Sequence, residues 1–195
     1  MLDQTRASRN DELRRLLVEL DLHAPGERAH AERVAVYSVA TGDAMGLSEE
    51  ELLTLRYAAT LHDIGKIRLD RDLLMKIGKI EEEEFQELRR HAALAEETVA
   101  AIDWLRPSLP LIKHHHEWFD GRGYPDGLKG DSIPLGSRII GLAEACDVLM
   151  TMPGDPAQVE QAALSEIQAC TGSQFDPSVV AAFMTVQSKI QPLTA

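Results

Sequence analysis

Cysteine is scarce in this 195-residue chain: it holds two, Cys146 and Cys170. They show no CxxC spacing, so a reduced thiol pair is expected and a disulfide framework is not. Aromatic residues make up only 5% of the sequence, and Ala, Leu and Glu abound, a balance that favours helix over sheet. No apolar run approaches the ~18 residues that span a bilayer, so no membrane segment is expected. The opening stretch, MLDQTRASRNDELRR, has no apolar core of the signal-peptide kind, which points to the cytoplasm. Positive charge is also short. Twenty Lys and Arg stand against 32 Asp and Glu, for a net charge of −12. Such a chain repels polyanions, and a DNA or RNA polymer is not an expected partner. A small phosphate ligand is still compatible if bound cations supply the local positive charge. Most of the acidity reads as solvated surface. The length fits one domain with a sizeable core, and no solenoid-type repeat is visible.

What is present is a succession of helical patterns. Residues 10–20 read as a short amphipathic helix with Asn10 as N-cap, packing Leu13, Leu16, Leu17 and Leu20 on the main body. Residues 1–24 are therefore expected to form a packed N-terminal helix or linker, and 25–195 the main domain. Pro25-Gly26 breaks the pattern. A helix over 27–45 places His30, Val34, Tyr37, Thr41 and Met45 on one face. Ser48 and Glu51 form a capping box that opens a helix through His62, with Leu52, Leu55, Ala59 and His62 inward, Gly65 at its end and Lys66 following. Residues 67–79 read as loop with one helical turn. The next helix, 81–90, carries a solvated acidic face with Phe85 and Leu88 inward, and His91 continues that stripe. A helix over 92–104 stops before Pro107. Ser108 then caps a helix with Pro110 in its first turn, which carries Ile112, His115 and His116 toward the core and His114 away from it.

Residues 117–134 form a long glycine- and proline-rich loop, a kind usually functional in compact domains. Its Trp118, Phe119 and Tyr124 argue for order. The helix over 138–151 puts Ile140, Glu144 and Asp147 on one side. Asp155-Pro156 and Asp176-Pro177 each pair an N-cap with proline at the first helical position. They start helices to Cys170 and through Val179, Val180, Phe183, Val186 and Ile190. The fold expected is all-α, a single bundle of seven or eight helices with a buried metal site.

The chemistry centres on residues 61–66, LHDIGK. Imidazole nitrogen beside carboxylate oxygen suits divalent Fe, Mn or Zn. Alone, the pair reads sooner as a core histidine bonded to a neighbouring carboxylate than as a ligand pair. Its company changes that reading: His30, His62, Asp63, His91, His115, His116 and Glu144 or Asp147 fall at the ends or inner faces of successive helices. Facing helices are a known way to build a metal site in a bundle. Six or seven N/O ligands exceed one tetrahedral zinc and fit two metals bridged by an aspartate and a water. Hydrolysis of a phosphate ester is the expected reaction, with Lys66 adding charge where it develops.

These residues resemble the HD-GYP subgroup of the HD metal-dependent phosphohydrolase superfamily. The likeness rests on HAERV at 30–34, HDIGK at 62–66, RRH ending at His91, and HHEWFDGRGYPDGLKGDSIPLGSRI at 115–139. It covers roughly residues 11–185 and includes the Gly123-Tyr124-Pro125 triplet. The resemblance implies an HD-like all-α domain with a bi- or trinuclear iron or manganese centre, serving second-messenger signalling and its protein partners. It implies hydrolysis of cyclic di-GMP to pGpG or GMP. Position by position, it assigns His30, His62, Asp63 (bridging), His91, His115 and His116 as ligands, with Asp63 and Lys66 as the catalytic pair. Lys66 contacts the substrate phosphate, and Asp120, Gly121, Arg122, Gly123, Tyr124 and Pro125 shape the substrate side. The last ligand is usually Asp, and here it is Glu144, with Asp147 one turn later as the alternative. Cys146 replaces a usual Tyr, and the basic segment that normally follows is replaced by Met150–Gly154. Glu27 stands near the position of a third-metal ligand, but two metals are expected. The alternatives are a catalytically inactive metal-binding module and an HD hydrolase of another cyclic dinucleotide or nucleotide.

Overall fold

The computed structural model describes residues 2–190. Ten α-helical segments occur among them, eight of eight residues or more, and no β-strand beyond one isolated bridge between Thr171 and Phe175.

Helix α1 spans Leu2–His23 without a break. Asn10 is therefore interior and not the expected N-cap, because nothing in the residues before it interrupts a helix. Leu16, Leu17 and Leu20 are buried, so α1 packs on the body as the apolar spacing predicted. Gly26, at φ 98°, makes the turn into α2, Glu27–Ala44. The left-handed backbone there suits glycine. Helix α3, Glu49–Leu61, opens with the expected capping box: Ser48 Oγ accepts from the Glu51 N–H, and Glu51 returns a carboxylate to the Ser48 N–H at 2.8 Å.

His62 is the C-cap of α3, and residues Ile64–Arg68 then form a 3-10 turn. Gly65 thus lies beyond the helix and not at its end. After the short α4, Arg71–Leu74, come α5, Glu82–Arg89, and α6, His91–Val99. Phe85 is 48% exposed, against the expectation of an inward position, because α5 lies at the edge of the bundle. Helix α6 ends five residues before Trp104. The chain leaves the helix so that Leu105 is fully buried and Trp104 meets Tyr57 edge-on at 4.9 Å and donates to Glu12 at 2.8 Å.

Helix α7, Leu109–Lys113, is one turn long, with Ser108 at its start donating its hydroxyl to Thr54 O at 3.1 Å, not capping. The three histidines that follow lie in a turn beyond α7 and not within a helix. Helices α8, Leu135–Met150, α9, Pro156–Ala169, and α10, Pro177–Val186, complete the bundle. Asp155 and Asp176 cap the last two as predicted, each accepting from a backbone N–H, and Ile190 lies past a final 3-10 turn.

Helix α2 is the central strut, packed against α3, α8 and α10, while α6 packs on the 3-10 turn after α3. Val34, Leu61, Ile64, Ile112, Ile140 and Phe183 are fully buried among them. Each such side chain contributes about 1.5–3 kcal/mol by leaving water. This core brings the end of α3, the start of α6, the turn after α7 and the middle of α8 to one place.

Candidate metal centre

Seven side chains converge there. Their donor atoms form two groups, His91, His115 and His116 in one and His30, His62, Asp63 and Glu144 in the other, and within each group all lie within 4.8 Å of one another. The structure thus brings together every residue of the expected ligand set, with Glu144 as its last member.

The histidines are oriented by what their outer nitrogens do. Nδ1 of His62, His91 and His115 lies 2.8, 2.7 and 2.6 Å from the carbonyl oxygens of Ala59, Leu88 and Ile112. A carbonyl only accepts, so each Nδ1 carries a hydrogen and it is Nε2 that turns inward, a bare lone pair whenever the ring is neutral. His30 does the same through a carboxylate: its Nδ1 donates to Asp147 Oδ2 at 2.7 Å. Inner Nε2 atoms of His91 and His115 are then 3.4 Å apart, and that of His116 is 3.0 Å from His91. His62 Nε2 and Asp63 Oδ1 are buried with no hydrogen-bond partner. Histidine nitrogens and carboxylate oxygens converging in a buried place, two of them without a hydrogen-bond partner, are the chemistry of a divalent-cation site, and the residues fit one.

Asp63 joins the two groups. Its Oδ2 lies 3.3 Å from His62 Nε2 and 3.9 Å from His30 Nε2, while Oδ1 lies 3.2 Å from His91 Nε2. Glu144 Oε2 comes within 3.9 Å of His115 and 3.7 Å of His116. The longer side chain of glutamate thus reaches the donor cluster.

Three glycines make the convergence sterically feasible. A Cβ on Gly65 would meet the His91 carbonyl at 2.0 Å, one on Gly141 the His115 carbonyl at 2.5 Å, and one on Gly123 the Trp118 nitrogen at 2.2 Å. Each is a close backbone approach that no side chain permits.

Charge is distributed unevenly. Burial opposes ionisation of Asp63, yet Lys66 and His62 hold its carboxyl well below the usual range. Burial likewise works against a charged His62, but Asp63 beside it pushes the imidazole up to about 9. Burial brings His116 down to about 4 and His115 lower than its ordinary value, with neighbouring histidines adding to the effect on His115. Those two rings are neutral at pH 7, the form that ligates.

The other expected site residues divide. Lys66 Nζ is ion-paired with Asp63 at 2.8 Å and Glu27 at 2.7 Å. Glu27 is therefore turned to Lys66 and lies outside both donor groups. Asp147 is not a ligand candidate either: His30 and a two-pronged contact from Arg33 occupy its oxygens. His114 turns away as expected, its Nδ1 3.6 Å from Glu117.

Two cavities abut the centre. One, of about 310 Å³, is lined by Lys66, His91, Tyr124, Glu27 and Arg89. The other, of about 360 Å³, is lined by His115, His116, Glu144, Trp118 and Arg138. Of the 120–125 stretch, Tyr124 lines the first, stacked on His116 at 4.7 Å. Asp120 and Arg122 line neither. They pair with each other at 2.6 Å, and with Gly121, Gly123 and Pro125 they form the loop's frame instead of its cavity wall. Sequence reasoning missed Arg33, Arg89 and Gly141. Arg33 is legible in hindsight, one turn after His30 on the same helix face. Gly141 carries no signal until its neighbour is known.

The sequence model of the HD domain family matches residues 16–179, and the chain belongs to that family. Within it the chain is a member of the HD-GYP subgroup. It is 32% identical over 195 residues to the cyclic di-GMP phosphodiesterase response regulator RpfG of Xanthomonas campestris pv. campestris, a match covering 98% of this chain and 52% of that protein. It is 35% identical over 164 residues to the 3′3′-cGAMP-specific phosphodiesterase 3 of Vibrio cholerae, covering 84% of this chain and 36% of that one. The chain thus spans about half or less of these relatives. The fold is similar to the crystal structure of a cyclic GMP-AMP-specific phosphodiesterase from V. cholerae, with a TM-score of 0.69 and 24% identity over 89% of this chain and 47% of that one. Among the described residues no helix is long and apolar enough to cross a membrane.

Proposed function

We propose that this domain hydrolyses a phosphodiester bond of cyclic di-GMP, giving pGpG, GMP or both, with two divalent cations, iron or manganese. The supporting observation is the set of outward Nδ1 bonds, which turns four Nε2 atoms inward, those of His30, His62 and His91 within 3.9 Å of an Asp63 oxygen and that of His115 beside His91. His30, His62, Asp63 and Glu144 would hold one cation, and His91, His115 and His116 the other, with Asp63 shared. When bound, such cations supply a water of lowered pKa and a positive clamp for phosphoryl oxygens. The chain's own groups do the rest. Lys66 keeps Asp63 ionised and lies in the wall of the cavity where a phosphate oxygen would sit. Tyr124, stacked on His116, forms part of the same cavity wall and fixes that side of the substrate space. We assign residues 25–195 to the HD-GYP domain and 1–24 to a helix packed on it.

A second reading, another cyclic dinucleotide as substrate, is favoured by the likeness to a cGAMP-specific relative. Anaerobic purification, metal analysis and incubation with cyclic di-GMP and 3′3′-cGAMP under Fe(II) and Mn(II) decide between them. Release of pGpG or GMP, abolished in His62→Ala, is the expected result. Preferential turnover of cGAMP would install the second reading. Two equivalents of metal with no product from either would identify an inactive metal-binding module.

A further inference from the structure

Four cations line the two cavities that flank the metal centre, and three of them are committed. Arg138 is bound to Asp131 and Asp176, Lys66 to Asp63 and Glu27, and Lys76 to both oxygens of Glu84. Arg89 is the exception. Among the described residues no carboxylate lies within ion-pair distance of it, and its polar contact is a long one, 3.3 Å to Gln86 Oε1. A cation in the last turn of a helix is commonplace, since the helix dipole favours it. The dipole does not explain why this guanidinium lies over an aromatic ring in the cavity wall. The next residue, Arg90, pairs with Glu87 at 2.7 Å, whereas Arg89 lies 4.3 Å over the Tyr124 ring and 5.9 Å from that of Phe85. Tyr124 is in turn stacked on His116, at 4.7 Å and 28° between planes. A pillar of three flat groups thus runs from the metal centre outward and ends in an unpaired positive charge facing the cavity.

We propose that Arg89 is a specificity-determining residue of the proposed hydrolysis, binding the second, non-scissile phosphate of a cyclic dinucleotide. The proposal rests on the function given above. A cyclic dinucleotide has two phosphodiesters, and only one is the reacting group. The other brings a second negative charge to a protein of net charge −12, and it needs a partner that is not already neutralised. A guanidinium offers a planar fork of donors matched to phosphate, and stacking on Tyr124 fixes its plane in advance, which lowers the ordering cost of binding.

The test is a ratio. For metal-loaded wild type and Arg89→Gln, kcat/KM is measured for cyclic di-GMP and for bis(4-nitrophenyl) phosphate, a diester with no second phosphate. The dinucleotide-to-diester ratio is expected to fall about tenfold or more in the variant, the worth of one charge-assisted contact. Calorimetry gives a second readout: the Kd of a non-hydrolysable phosphorothioate analogue of cyclic di-GMP should rise by a similar factor. Arg89→Lys, which keeps the charge but loses the fork, should fall between the two. Arg89 sustains no ion pair, so both variants should fold. An unchanged ratio and Kd, or equal losses on both substrates, would overturn the proposal while leaving the function intact. Wild type that does not turn over any cyclic dinucleotide would overturn the function and this inference with it.

Discussion

Asp147 stands directly behind His30, accepting its Nδ1 hydrogen at 2.7 Å, while Arg33 grips both carboxylate oxygens at 2.6 and 2.9 Å. Helix α8 therefore serves the centre twice, presenting Glu144 to it and, one turn on, Asp147 to the back of a ligand candidate from α2. Outer partners of this kind fix the tautomer and aim of a histidine. Asp147→Ala should weaken the affinity for divalent metal about 10- to 100-fold with the helical circular dichroism retained. Titration of the metal-free protein with Mn(II) measures it. Unaltered affinity would show that His30 needs no outer partner.

Gly141 passes the His115 carbonyl so closely that an added Cβ would lie 2.5 Å from that oxygen. Neither atom belongs to a flexible side chain, so α8 and the histidine turn must separate. Gly141→Ala should cost about 1–3 kcal/mol in urea unfolding and lower the metal content. Gly154→Ala is the control: its Cβ would meet only the end of the Val159 side chain, at 2.9 Å, and its stability should stay near wild type.

Lys66 is the counter-charge for the buried Asp63 and the partly buried Glu27. Lys66→Met leaves Asp63 and Glu27 facing one another unneutralised, so the metal-free protein should lose about 3 kcal/mol or more of stability. Because a cation can replace the lost ammonium, saturating Mn(II) should raise Tm further in the variant than in wild type. Equal shifts in the two proteins would mean that Lys66 contributes nothing to the charge balance of the centre.

In the wall of the cavity beside His115, His116 and Glu144, Asp176 caps α10 through the Ser178 N–H and holds the guanidinium of Arg138. Burial would raise its pKa, but Ser178 and Arg138 outweigh burial and lower it. A carboxyl with a lowered folded-state pKa stabilises the fold above its unfolded value, about 3.9. That contribution disappears as pH falls through the lower folded value. Asp176→Ala should therefore be less stable than wild type at pH 7 by roughly 2–3 kcal/mol. The gap should narrow as the medium is acidified below about pH 4. Denaturant melts at pH 7 and pH 3 compare the two proteins, and a gap independent of pH would rule out the charge of Asp176 as its source.

What could be read in advance was what is written locally. The capping box at Ser48 and Glu51 and the Asp-Pro starts of α9 and α10 are satisfied within three residues of sequence, and the structure has all of them. The metal-ligating candidates were legible because each sits on an apolar stripe, where a histidine is conspicuous. The errors arose where tertiary contacts overrule local pattern. Nothing local ends α6 at Val99, yet Trp104 and Leu105 are drawn off to Tyr57 and the core. Periodicity also extended a helix through the three histidines. An ideal helix turns 100° per residue and would splay His115 from His116, whereas the turn beyond α7 brings their rings within 4.0 Å. Arg89 was invisible for a different reason, since only its surroundings in space show that no carboxylate among the described residues pairs with it.

The spread of the donors along the chain gives the centre a further role. Atoms from His30 and Glu144, at opposite ends of most of the domain, are brought within 4.8 Å, as a cross-link would bring them. An ion held there exists only in the folded state and adds RT ln(1 + [M]/Kd) to its stability. Melting temperature recorded against metal concentration then reports occupancy with no substrate in the tube, and the persistence of this protein in a cell follows the supply of its metal.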